Sequence, residues 1–200
     1  MRISTQSAGL LLLLFLIGCS GRPSRVKAPT MDAEVITENV MEMFDSNTDG
    51  ALDESELVSA PSLAYSLKAI DTNENGKLEV EEIRERFDTY VRLKIARRRF
   101  NMQIRHKRRP LADAKVEMIP APFMEGIIAP ASGVTTEDGT VTMDAKLSAR
   151  RATVNLGFYR IKVNSEKTKI PAKFNEETTL GVEVAPIADA MDANVVFELK

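Results

Sequence analysis

Two twelve-residue stretches place oxygen-bearing side chains where a hard cation could use them. In Asp45-Ser46-Asn47-Thr48-Asp49-Gly50-Ala51-Leu52-Asp53-Glu54-Ser55-Glu56, oxygens recur at the first, third, fifth, ninth and twelfth places, with glycine at the sixth. Asp71-Thr72-Asn73-Glu74-Asn75-Gly76-Lys77-Leu78-Glu79-Val80-Glu81-Glu82 repeats that spacing, with Asp71, Asn73, Asn75, Glu79 and Glu82 on the same places and Gly76 at the sixth. Alternating Asp and Asn suit Ca²⁺, which takes six to eight oxygens, and a closing glutamate can supply two of them. Asp-Asn-Gly runs also favour plain turns. A plain turn, however, places no demand on the residue six places after its glycine, and both stretches carry glutamate there.

The two stretches resemble paired EF-hand loops, and the resemblance covers roughly residues 31 to 98. It implies two Ca²⁺ ions. One would be held by Asp45, Asn47, Asp49, the backbone carbonyl of Ala51, Asp53 and bidentate Glu56. The other would be held by Asp71, Asn73, Asn75, the carbonyl of Lys77, Glu79 and Glu82. Leu52 and Leu78 stand at the eighth place, where EF-hand pairs lay short strands side by side and bury an apolar residue. The loop starts are 71 − 45 = 26 residues apart, closer than in calmodulin-like pairs and similar to compact pairs of bacterial exported proteins.

Helices must hold such loops, and the flanking sequence supplies their period. Thr30 is placed to cap a first helix whose Ala33, Ile36, Val40, Met43 and Phe44 fall on one face, with Asp32 and Glu34 near its positive end. A short exit helix through Leu57 and Val58 stops before Pro61, which suits the first turn of the next helix. Leu63, Leu67 and Ile70 continue that helix into the second loop. Val80, Ile83, Phe87 and Val91 stripe the last helix, which grows basic through Arg92, Lys94, Arg97, Arg98 and Arg99. Those cations would suit a solvated, dipole-negative helix end. From Phe100 the pattern alternates, with Phe100, Met102 and Ile104 apolar, and this sets a boundary near residue 98.

Beyond it, strand follows turn. Ala114–Ile119, Gly133–Thr136, Thr140–Met143, Leu156–Val163, Thr178–Val184 and Val195–Leu199 join the strand from Phe100, and Glu137-Asp138-Gly139 signals a hairpin. Seven short strands read as an antiparallel β-sandwich. Pro110-Leu111-Ala112-Asp113-Ala114-Lys115-Val116, Thr135 to Val141 and Gly157-Phe158-Tyr159-Arg160-Ile161-Lys162-Val163 resemble carboxypeptidase regulatory-like, transthyretin-like (prealbumin-like) domains, which implies a non-catalytic sandwich. Lys169 to Asn175 with Thr178-Thr179-Leu180 is similar to versions found in planctomycete lipoproteins. The fold class expected is therefore α+β in two domains, an α-helical EF-hand pair over 31–98 and the sandwich over 99–200.

The N-terminus carries an address. Met1-Arg2 is a short basic start, Gly9–Ile17 an apolar run, and Leu16-Ile17-Gly18-Cys19 follows. The run is short for a bilayer span of about 20 residues and reads as a secretory leader over 1–18. The junction resembles the lipobox of bacterial lipoproteins, which implies acylated Cys19 (diacylglyceryl plus an amide-linked chain such as palmitate) and a lipid-anchored place in the cell envelope. Residues 19–30 read as a tether.

With 27 basic and 29 acidic residues the chain is nearly balanced, but the charge is segregated. Residues 31–88 hold 16 acids against 4 bases, whereas residues 92–109 hold 9 bases and no acid. One histidine, His106, and one cysteine leave no triad and no zinc set, so no enzyme is expected. The basic run lacks aromatic interleaving, and nucleic acid is not an expected partner. The partners expected are a membrane through Cys19 and an anionic envelope polymer or protein. Two functional classes follow: a calcium-stabilised envelope binding module, or a calcium-responsive regulator of an envelope partner. Affinity separates them, at about 10⁻⁴–10⁻³ M for extracellular modules against about 10⁻⁷–10⁻⁵ M for sensors.

Overall fold

A computed structural model describes residues 26–149, 151–186 and 195–200. The expected leader, Cys19 and the first part of the tether lie outside the described residues. Helix α1 spans Ala33–Phe44. Its N-cap is Asp32 and not Thr30, because the Asp32 carboxylate accepts from the backbone N–H of Glu34 and Val35 at 3.1 and 3.3 Å and offers the positive helix end a charge. Ala33, Ile36 and Val40 are buried as the period demands, while Met43 is half exposed.

Strand β1 (Ala51–Leu52) leads into α2 (Glu54–Leu57), α3 (Pro61–Ile70), β2 (Leu78–Glu79) and α4 (Val80–Leu93). Pro61 opens α3 at its first turn, where its missing N–H costs nothing. Leu52 lies opposite Leu78 in an antiparallel β1–β2 pair, and both are fully buried. On α4 the buried stripe is Ile83, Phe87 and Tyr90, with Val91 on the exposed edge. The helix ends at Leu93, and Lys94 takes the left-handed conformation at φ 51°. Arg97, Arg98 and Arg99 are thus not a helix end as the basic period suggested. They lie in an extended segment in which Arg98 and Val154 exchange backbone hydrogen bonds of 3.0 and 2.9 Å.

Among the described residues eight strands follow: β3 (Asn101–His106), β4 (Arg109–Pro110), β5 (Lys115–Pro120), β6 (Ala131–Val134), β7 (Thr140–Thr142), β8 (Gly157–Asn164), β9 (Gly181–Val184) and β10 (Val196–Leu199). One sheet holds β10, β3, β4 and β7, and the other runs β6-β5-β8-β9. Two features depart from the expected seven antiparallel strands. Arg109–Pro110 folds back on β3 as a short extra strand, and β10 pairs with β3 in parallel. The Glu137-Asp138-Gly139 turn closes as expected, but β6 and β7 enter different sheets, and an isolated bridge joins Ser132 of β6 to Asp144, two residues past the end of β7. Gly133 permits that crossing, since a Cβ there would stand 2.5 Å from Val141 Cγ2 and 2.7 Å from the Thr142 carbonyl.

One apolar cluster runs through both segments, from Ile36, Leu63 and Phe87 to Met118, Phe158 and Val182. Its centre is aromatic. Phe87 of α4 lies 5.5 Å from Phe158 of β8 and 6.1 Å from Phe123, whose ring also meets Phe44 of α1 at 6.2 Å. Such edge and tilted contacts add to plain burial. Polar groups lock the same joint: buried Glu183 of β9 accepts from Arg86 Nε at 2.7 Å and from the Tyr90 hydroxyl at 2.5 Å. The boundary near residue 98 therefore falls in a connector, while the interior continues across it.

Candidate metal centre

Each loop is wound around its closing glutamate. In the first, Glu56 Oε1 accepts from the Ser46 N–H at 2.8 Å, the Ser46 hydroxyl at 2.9 Å and the Asn47 N–H at 3.3 Å, and Oε2 accepts from the Asp53 N–H at 3.1 Å. In the second, Glu82 repeats this with the Thr72 N–H (2.8 Å), the Thr72 hydroxyl (3.0 Å), the Asn73 N–H (3.3 Å) and the Glu79 N–H (3.1 Å). Both glutamates are buried. The twelfth residue is thus folded back beside the first, a closure that chain order alone would not impose.

The other positions line the turn. Asp45 Oδ2 accepts from the Gly50 N–H at 3.1 Å and Asp71 Oδ2 from the Gly76 N–H at 2.8 Å, the sixth position bonding to the first in each loop. Gly50 and Gly76 carry φ of +83° and +80°, a conformation that side chains resist. Asn47 and Asn73 accept from the N–H two residues on, as do Asp49 and Asn75. Asp53 and Glu79, the ninth residues, diverge. Asp53 caps α2, accepting from Ser55 and Glu56, while Glu79 accepts from the side-chain amides of Asn73 and Asn75.

Electrostatics favour the ionised form in the first loop. The Ala51 N–H and then the Lys77 ammonium hold Asp49 below the usual aspartate range, the Ser55 hydroxyl lowers Asp53, and the Asp53 N–H lowers Glu56. Among the described residues, no three His, Cys, Asp or Glu side chains stand together as a ready-made metal cluster. The set fits Ca²⁺ all the same, on the chemistry of its donors: hard oxygens only, from carboxylates, Asn amides and the carbonyls of Ala51 and Lys77. One structural detail points the same way. Asp45 Oδ1 is buried and has no hydrogen-bond partner, and a buried carboxylate oxygen calls for a cation or donor.

Sequence reasoning missed the Lys77 side chain. While its carbonyl belongs to the second loop, its Nζ donates to Asp49 Oδ2 of the first at 3.2 Å. The β1–β2 pairing brings the two loops within that reach, and only the pairing register would have revealed it. The Arg86–Glu183–Tyr90 lock was also missed, since its partners stand 97 and 93 residues apart. His106, set aside as a catalytic candidate, ends β3 opposite Arg109 and Leu199.

A family model described as EF hand matches residues 65–87, which run from within α3 through the second loop to Phe87 of α4. The chain therefore contains an EF-hand element, and calcium binding is the activity it suggests. No curated protein and no solved structure is similar enough to match.

Proposed function

We propose that this chain is a calcium-binding, lipid-anchored protein of a bacterial envelope, with two Ca²⁺ sites and a transthyretin-like β-module that binds an anionic polymer or protein without catalysis. The observation that carries the two-site reading is the near-identity of the hydrogen-bond nets around Glu56 and Glu82. The family match covers only the second loop, so the first rests on this equivalence and on the unpartnered Asp45 oxygen. The anchor rests on Leu16 to Cys19. In this reading calcium serves as a clamp. A groove-opening response, the mark of a sensor, would have to part Phe87 from Phe158 and break the buried lock on Glu183.

Calorimetry on the full chain tests the sites. Stoichiometry near two in the wild type should fall to one in Glu56→Gln and to one in Glu82→Gln; two in both variants would remove these glutamates from the ligand set. Mass spectrometry tests the anchor: an acylated N-terminal Cys19 is expected in the wild type, and an unmodified one would end the lipoprotein reading.

A further inference from the structure

Beyond the end of α4 the chain runs into a cleft that the calcium sites do not use. Arg97, Arg98, Arg99, Arg151, Ala152 and Thr153 line it, around a volume of about 640 Å³. The Arg98–Val154 backbone bridge brings residues from two distant stretches together here. Arg98 turns one guanidinium nitrogen to the Ala185 carbonyl at 2.9 Å, and Val154 beside it is fully buried. Arg97 and Arg99 flank Arg98 in this extended segment and so emerge on the opposite face.

Among the described residues, Arg97, Arg99 and Arg151 meet no counter-charge. Arg97 is oriented by a neutral acceptor, the Leu147 carbonyl at 2.9 Å. Arg99 and Arg151 are exposed, and among the described residues neither has a hydrogen bond or ion pair. Thr153 Oγ1 is buried in the cleft wall with no partner. Asp144 lies on the segment whose Ala145 bonds the Thr153 carbonyl, but it is already held by Lys146 at 3.0 Å. Planar guanidinium forks match the oxygens of phosphate and sulfate, and a threonine hydroxyl adds a neutral donor. Among the described residues the lining has no large apolar side chain to offer an acyl surface.

We propose that this cleft is a binding site for a polymer bearing repeated phosphodiester or sulfate groups, with Arg97, Arg99, Arg151 and Thr153 as its contacts. The inference deepens one element of the proposed function, the anionic partner, and needs neither the calcium sites nor the lipid. Fluorescent dextran sulfate, with neutral dextran as blank, should bind the full chain in calcium buffer. Arg99→Gln/Arg151→Gln should weaken that binding at least about tenfold, as expected for losing charge-assisted hydrogen bonds. Arg108→Gln/Arg109→Gln removes the same charge from the exposed β3–β4 turn and should change it less than about twofold, the level of a screened distant charge. No binding by the wild type overturns the site, as does equal weakening in both double variants, or capture by phosphatidylglycerol vesicles in place of dextran sulfate. Calcium stoichiometry measured on the same samples separates the outcomes, since the polymer site can fail while two ions still bind, and the reverse.

Discussion

Lys77 serves two loops at once, and that asymmetry is where single residues matter most. Its ammonium lies 3.2 Å from Asp49 with both side chains about two-fifths exposed, so solvent screens the pair and its worth is small. A divalent ion entering the first loop must displace or tolerate that cation. Lys77→Met keeps the backbone carbonyl and should raise first-loop affinity about two- to fivefold, read by calorimetry in the Glu82→Gln background; unchanged affinity would show that the ammonium leaves Asp49 freely. Asp138 illustrates a residue effect tied to pH. The Thr136 hydroxyl, and then the Thr140 N–H, hold its carboxyl below the ordinary value of 3.8. A lowered folded-state pKa contributes stability above the unfolded value and loses it as pH falls through the folded one. The melting temperature of Asp138→Ala should therefore lie below wild type at pH 7, and the gap should close as pH drops below 3.8. A constant gap would assign the effect to shape and not to charge.

Among elements, the decisive joint is α3 on β9. A Cβ on Gly181 would stand 2.2 Å from the Ser62 backbone nitrogen and 2.3 Å from the Pro61 carbonyl carbon, so the first turn of α3 rests directly on the strand. Backbone cannot rotate away as a side chain can. Gly181→Ala should destabilise the chain by about 3 kcal/mol, the upper range for overpacking, seen as a lower urea midpoint. A neutral result would mean that α3 can shift away from β9 at no cost. The short β1–β2 pair is a second joint, since burying Leu52 against Leu78 ties one loop's geometry to the other's.

At the scale of the molecule, the shared interior changes what calcium can be expected to do. Independent domains would let the sheets ignore chelation. Here Phe87, Phe123 and Phe158 form one cluster, and Arg86 with Tyr90 reaches Glu183 in the sheet. Filling a site at 100 times its dissociation constant contributes about 2.7 kcal/mol, a sizeable share of a domain's stability. Chelation should lower the melting temperature of one cooperative transition, and amide exchange should rise together in α3, α4, β8 and β9. If only the helices lose protection, the two segments are separate folding units.

The sequence by itself determined the local features, because each is written in contiguous residues. The spacing of oxygen-bearing side chains from Asp45 to Glu56 and from Asp71 to Glu82, the glycine turns, the Pro61 helix start and the alternation from Phe100 all depend on neighbours within a dozen positions. Even there, Thr30 and Asp32 competed for one cap, and the carboxylate won by reaching two N–H groups. Tertiary structure decided what depends on distant partners. Parallel pairing of β10 with β3, the parting of β6 and β7 into different sheets, Lys77 on Asp49 and Glu183 beneath α4 join residues separated by up to 97 positions. No local period encodes such pairings, because they are chosen by which buried surfaces and charges are satisfied together once the chain has closed.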